Sequence, residues 1–172
     1  MTADVVVVAA GAGSAPLMRT LGHNVPLIHE RGYHLEGPCA SWPKEMPIIV
    51  LEDRGLLITR FENTLRLASF TEFSAPGAPP DRKKFKKLHL YAENLGITFD
   101  QPPTEWVGSR PTLPDYMPAI GRSEKADNLL YAFGHNHLGL TLAPSTADII
   151  AKTAAGIAPN VDQKTLSLSR FG

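Results

Sequence analysis

Apolar and polar positions alternate along this chain in three different ways, and each way predicts a different element. Asp4-Val5-Val6-Val7-Val8-Ala9-Ala10 is an unbroken β-branched run, the pattern of a strand buried on both faces in a parallel sheet. It ends in Gly11-Ala12-Gly13-Ser14, where Ser14 is placed to cap a short helix from Ala15 to Leu21 closed by Gly22. From Pro26 the texture changes. Leu27 to Gly37, Pro47 to Leu51, Leu56 to Phe61 and Thr64 to Phe73 are rich in strand formers, and Glu52-Asp53-Arg54-Gly55 and Glu62-Asn63 separate the last three. Turns that short join antiparallel neighbours, so these segments predict a meander. In its last strand Leu65, Leu67, Ser69, Thr71 and Phe73 fall on one face, and Arg66, Ala68, Phe70 and Glu72 on the other.

The helical period appears twice. After the Pro/Gly-rich break Ala75 to Pro80, Asp81 reads as the N-cap of a helix from Arg82 to about Leu95, closed by Gly96, with Phe85, Leu88, Ala92 and Leu95 as its buried stripe. Near the carboxyl end an apolar strand, Leu129 to Phe133, stops at Gly134. His135, Asn136, His137 and Leu138 follow, and Gly139, Leu140 and Thr141 open a small-residue helix closed by Gly156. A helix start leaves N–H groups unpaired and carries partial positive charge. Glycines there let a flat or electron-rich group approach the backbone. Taken alone, the stretch equally fits an ordinary strand-to-helix connection with two surface histidines. The tail to Phe171 reads as a surface segment.

Composition narrows the class. The 172 residues are 43% hydrophobic and 20% charged, with 17 basic and 17 acidic side chains. That describes one globular domain and gives no global pull toward nucleic acid or anionic membrane. Arg82, Lys83, Lys84, Lys86 and Lys87 cluster, but without interleaved aromatics they read as a solvated helix face. A single cysteine, Cys39, excludes an intrachain disulfide and a cysteine-based zinc cluster. His135 and His137 lack a nearby third ligand, so no metal is expected. No apolar run approaches the roughly 20 residues of a membrane span. Met1-Thr2-Ala3-Asp4 lacks the charged start of a signal peptide. The expectation is a cytoplasmic protein.

Trp106-Val107-Gly108-Ser109-Arg110-Pro111-Thr112-Leu113-Pro114-Asp115, read with Arg31-Gly32-Tyr33-His34 and the Gly134 to Thr141 stretch, closely resembles the carboxy-terminal half of FAD-dependent D-amino-acid dehydrogenases. These belong to the larger D-amino-acid oxidase and glycine oxidase family. The resemblance runs from about Ala3 to Arg170-Phe171. Each motif alone is weak, and the combination is specific. It implies an α+β fold in which an antiparallel meander forms a substrate domain beside remnants of an FAD-binding domain. The expected divisions are residues 1–25 and 111–172 for the latter and 26–110 for the former.

The resemblance also implies roles. Arg110 sits where family members grip the substrate α-carboxylate, a task suited to a planar, permanently charged fork; Pro111 fixes the backbone after it. Without the resemblance, the commoner fate of such an arginine is a surface salt bridge. Tyr33 points a phenol at the same carboxylate or packs half-buried. Asp115 caps its loop or orients Arg110. Gly134, His135, Asn136, His137, Leu138, Gly139, Leu140 and Thr141 line the flavin ring, and Gly11 and Gly13 pass near the cofactor. The flavin takes hydride from the substrate Cα–H, so no strong protein base is required.

One departure bears on the cofactor. A dinucleotide fingerprint G-x-G-x-x-G starting at Gly11 needs glycine at position 16, which is Pro16. Two functions therefore stand. One is a flavin-dependent dehydrogenase acting on a small amino acid or amine, with this chain as its substrate half. The other is a non-catalytic fragment or binding subunit that does not retain FAD alone. A missing amino-terminal half or a partner subunit is the implied complement.

Overall fold

The computed structural model describes residues 3–172; Met1 and Thr2, the start of the segment without a signal-peptide charge, lie outside the described residues. The chain divides into two compact units, one of residues up to Glu30 together with Arg110–Gly172, the other Arg31–Ser109. The divisions fall at Glu30/Arg31 and Ser109/Arg110, within strands, where the sequence placed them at 25/26 and 110/111.

The Arg31–Ser109 unit is built on a five-stranded sheet. Numbering strands in chain order, with β1 at Val6–Val8, they are β2 (Ile28–Gly37), β3 (Ile49–Leu51), β4 (Leu56–Arg60), β5 (Leu65–Ser74) and β6 (Thr104–Thr112), in the spatial order β3-β4-β5-β2-β6. The expected meander is present: β3, β4 and β5 pair antiparallel, with Val50 opposite Leu57 and Leu57 opposite Ala68. Gly55 makes the first turn in the left-handed region at φ 56°. Helix α2 (Arg82–Asn94) packs Phe85, Leu88 and Ala92 against Tyr33, Leu35, Leu56, Ile58, Leu65 and Leu67. Asp81 caps it, accepting from the Lys83 N–H at 2.9 Å.

The single expected face of β5 does not persist. Leu65, Leu67 and Ser69 are buried, but Phe73 is 63% exposed, whereas Phe70 packs against the core. Phe70 has φ 65°, and that one irregular residue exchanges the two faces of the strand beyond it.

The other unit holds a three-stranded sheet in the order β1-β8-β7, with β7 at Ala119–Arg122 and β8 at Leu129–Phe133. β1 runs parallel to β8, Val6 beside Leu129 and Val8 beside Tyr131. Its partner thus lies more than a hundred residues along the chain. The expected burial on both faces does not hold: Val6 and Val7 are each 43% exposed. An apolar run records what a strand can tolerate, and this strand sits at a sheet edge with one neighbour.

Helix α1 (Ser14–Thr20) buries Ala15 and Met18 against Val25, Leu113, Leu129, Tyr131 and Phe133. Ser14 is its first residue rather than its cap, and its hydroxyl reaches back to accept from the Ala10 N–H at 3.0 Å. Helix α3 spans Gly139–Ala154, and Gly156 follows it at φ 73°. The tail is not a surface segment. Through the short helix α4 (Gln163–Leu166) and the turn after it, Leu166 and Leu168 are buried, and the Leu168 N–H donates to the Tyr131 hydroxyl at 3.0 Å. Two apolar residues among many polar ones show no period, so their burial leaves no pattern in the sequence.

Candidate functional site

Parallel strands that lie side by side end at the same edge of their sheet. Because Val8 pairs with Tyr131, the turn after β1 and the turn after β8 emerge together. These are the Gly11–Gly13 turn and the Gly134 turn, each leading into a helix. The carboxyl edge of parallel strands is where open α/β sheets take their ligands. Gly11, at φ 55°, has no atom within 4 Å of where a Cβ would stand, and Gly13 has only the Ala10 Cβ at 3.7 Å. Both leave their backbone open to a close approach.

The second turn is clamped by the Arg110 segment. Thr112 bridges His135 across an antiparallel pair, and the Asn136 N–H donates to the Pro111 carbonyl at 3.1 Å. Gly134 has φ 83°, and a Cβ there would stand 2.6 Å from the Leu113 Cδ1. Leu113 is fully buried, so the glycine makes room for it as well as for the turn. Asn136 takes the left-handed region at φ 42° and accepts the His137 N–H on its own side chain at 2.5 Å. The two sequence motifs are therefore one structural object within this unit.

Helix α3 begins without a side-chain cap. Gly139, Leu140 and Thr141 are exposed, and their N–H groups have no partner among the described residues of their unit. Leu140 is 95% exposed. The Leu138 N–H donates back to the His135 carbonyl at 2.8 Å. His135 is half-buried, which pushes its imidazole below the usual histidine value. Its Nε2 lies 3.0 Å from the Thr146 Oγ1. It enters as a neutral hydrogen-bonding group, while His137 is exposed.

Arg110 makes one side-chain contact within its unit, NH1 to the Glu30 Oε1 at 3.5 Å, and its side chain is 35% exposed. Glu30 is held from its other oxygen by the buried Thr112 hydroxyl at 3.0 Å. Asp115, expected to cap its loop or orient Arg110, does the first. It accepts the Met117 N–H at 3.1 Å and pairs with Arg170 at 2.7 Å. The hydrogen bond from Arg170 is the main reason its carboxyl lies below the usual value. The carboxylate beside Arg110 is Glu30, which the sequence left as one more strand residue. Its only sequence signal is a charge in an apolar stretch.

Tyr33 belongs to the other unit and is 1% exposed. Its hydroxyl donates to the Glu72 carboxylate and accepts the Asp81 N–H at 3.1 Å. Burial first, then the bond to Glu72, raises its phenol above the usual value. Both hydroxyl functions are filled, and they brace the start of α2. In the same unit Trp106 stacks on His34 at 4.7 Å, and its ring occupies the space a Cβ at Gly108 would need. Residues two apart share a strand face, so the W-x-G spacing is a packing requirement. A cleft of about 620 Å³ opens beside them, lined by His34, Glu36, Arg66 and Trp106. Glu36 is already saturated by Thr64 at 2.8 Å and Arg66 at 2.7 Å. Burial alone would raise its pKa, but those bonds outweigh it and hold the carboxyl below the usual range.

Solved structures with this fold are flavoprotein amine oxidases. The chain superposes on glycine oxidase from Geobacillus kaustophilus with a TM-score of 0.82 at 21% identity, covering 99% of this chain and 46% of that one. Iminodiacetate oxidase from Chelativorans gives 0.75 at 20% identity, covering 97% and 46%. The family model "FAD dependent oxidoreductase" (DAO) matches residues 1–153, and the chain belongs to that family. Among curated relatives, D-amino-acid oxidase of Bradyrhizobium diazoefficiens is 33% identical over 98% of this chain, and D-amino acid dehydrogenase of Neisseria gonorrhoeae is 32% identical over the same share. The chain spans about 41% of the length of either.

The residues present fit one face of a flavin. An uncapped helix start with three free N–H groups, approached over Gly134 and Gly139, suits an electron-rich ring edge. The pyrophosphate fingerprint is not met at Gly11, Gly13 and Pro16. No helix among the described residues is long and apolar enough to cross a membrane.

Proposed function

We propose that this chain supplies the carboxylate grip and one flavin-facing wall of an FAD-dependent dehydrogenase of the D-amino-acid type. The reaction is oxidative deamination of an amino acid or amine to an imino acid, which hydrolyses to a keto acid and ammonia. When bound, FAD supplies the acceptor for the hydride of the substrate Cα–H. The observation that carries the reading is the docking of the Arg110-Pro111-Thr112 segment onto the Gly134–Asn136 turn, which joins a free guanidinium to an open helix start.

Arg110 binds the substrate α-carboxylate through the part of its fork that Glu30 leaves unused, and Pro111 restricts the backbone that carries it. The N–H groups of Gly139, Leu140 and Thr141 stabilise negative charge developing on the ring edge beside them. Gly11, Gly13, Gly134 and Gly139 admit the ring without a side chain in its way. His135, kept neutral, and Asn136 fix the turn, while His137 and Leu138 present its outer surface. Tyr33 holds the substrate-domain sheet to α2 rather than sharing the carboxylate. Nothing in this set removes a proton from carbon, as hydride transfer from Cα requires.

A second reading is favoured by Pro16: the isolated chain does not retain FAD. A visible spectrum of the purified chain, before and after incubation with excess FAD and desalting, decides between them. A retained flavin band, with D-amino-acid oxidation by an artificial acceptor that is lost in Arg110→Ala, supports catalysis by this chain. A retained band with unchanged turnover in Arg110→Ala contradicts the assignment of Arg110. A protein that stays colourless supports the second reading.

A further inference from the structure

A guanidinium that grips carboxylates is not selective by itself, since any small anion satisfies it. What distinguishes this one is the buried carboxylate placed against it. Glu30 is 8% exposed, its Oε1 is 3.5 Å from the Arg110 NH1, and its Oε2 is tied off by the buried Thr112. Thr112 is in turn bridged to His135. The carboxylate therefore cannot swing away as a surface glutamate can. At 3.5 Å to a single nitrogen it also fails to saturate the fork, because a committed charge-assisted pair closes to roughly 2.7–2.9 Å and is often bidentate.

We infer that Glu30 is a specificity-determining residue that biases the Arg110 anchor toward zwitterionic amino acids and against plain carboxylates, including the keto acid product. The inference rests on Arg110 being the substrate anchor. Arg110 with Glu30 forms a locally neutral pair. An anion without a cationic group meets both charges, and the fixed negative one opposes it. An amino acid brings its ammonium one carbon away from its carboxylate, so its positive charge offsets that repulsion. The two charges lie close together in a partly desolvated site, where Coulomb terms exceed their value in bulk water. The consequence is directional: substrate is retained, and once the ammonium is gone the product is bound less well.

The test follows the Arg110 Nε–H signal in the full chain labelled with nitrogen-15, titrated to high millimolar concentrations with D-alanine and, separately, pyruvate. In the wild type D-alanine is expected to bind about tenfold more tightly than pyruvate. Glu30→Gln keeps the size and the acceptor for Thr112 but removes the charge. It is expected to tighten pyruvate severalfold and bring the ratio close to one. Thr112→Val, which frees Glu30 without removing it, is expected to shift the ratio the same way by about threefold, and it stands in should Glu30→Gln fail to fold. A ratio unchanged in the variants overturns the inference. So does a loss of both ligands in parallel, which a merely structural Glu30 would produce. In each of those cases Arg110 remains the anchor. If neither ligand perturbs Arg110 in the wild type, the anchor itself is wrong and the inference falls with it.

Discussion

Two arginine–carboxylate pairs, one in each unit, use the same chemical groups for opposite ends. Arg31 is 6% exposed, and its guanidinium donates to Glu72 at 2.6 and 3.0 Å and to the carbonyls of Ala78 and Pro79 at 2.6 and 3.2 Å. Glu72 also accepts from Tyr33 and from Lys84. Every group in that cluster is spoken for, and the cluster ties β2, β5 and the start of α2 together. Arg110 has one long contact within its unit and a side chain 35% exposed. A saturated guanidinium is scaffold, whereas an oriented but unsatisfied one is a binding group. Charge and residue type do not separate the two; the tally of filled donors does.

The comparison breaks most visibly at Glu72. Glu72→Ala leaves Arg31 buried without its counter-charge, and removal of one partner of a buried pair costs about 3–5 kcal/mol. Urea denaturation is expected to show that loss, and a change under about 1 kcal/mol would place Arg31 with Arg110 as loosely held. Arg110→Leu should behave oppositely. Losing a charge-assisted bidentate contact weakens carboxylate binding by about 3 kcal/mol, roughly a hundredfold. Unfolding stability should stay within about 0.5 kcal/mol, as for other half-exposed ion pairs. A large stability loss with unchanged ligand affinity would reverse the two assignments.

Gly134→Ala tests the clamp that holds Arg110 beside the open helix. The new methyl meets Leu113 at 2.6 Å in a backbone region disfavoured for alanine, a combination expected to cost about 2–3 kcal/mol. A double-mutant cycle with Leu113→Ala should return a coupling of roughly 1 kcal/mol or more, and additivity would show that the two do not touch.

Acid gives a smaller effect. Glu72 is held below the usual glutamate value of 4.5, first by the Tyr33 hydroxyl and then by Arg31 and Lys84. A depressed carboxylate contributes stability that is present above the unfolded value and lost as pH falls through the folded one. Stability should therefore decline below about pH 4.5, and Glu72→Gln should flatten that decline. An unaltered acid limb in Glu72→Gln would remove Glu72 from the account.

Local chemistry made the helices and the site motifs readable. Asp81 and Gly96 bracket α2 because a side-chain oxygen and a missing Cβ act within a few residues, and the same holds for Gly134 and the start of α3. The meander was legible because short turns leave no other pairing. What escaped depends on partners distant in sequence. Val6 and Val7 look like a buried strand, yet their exposure is set by a neighbour, Leu129–Tyr131, that no window around them contains. Phe70 reverses the faces of β5 with an ordinary phenylalanine in an unusual conformation. Leu168 is buried by Tyr131 and its surroundings. Asp115 met Arg170 instead of Arg110, and Glu30 met Arg110 from 80 residues away. Motif reading found the guanidinium and could not find what holds it.

Hydrogen exchange at the arginine Nε–H positions of the isolated chain, followed by nitrogen-15 NMR, tests the central contrast most directly because it needs neither cofactor nor substrate. The account predicts that the Nε–H of Arg31, bonded to Glu72 at 3.0 Å, exchanges slowly and gives a sharp signal, while that of Arg110 exchanges fast. An Arg110 signal as protected as that of Arg31 would contradict it, because a guanidinium already satisfied by the protein has no fork to offer a substrate.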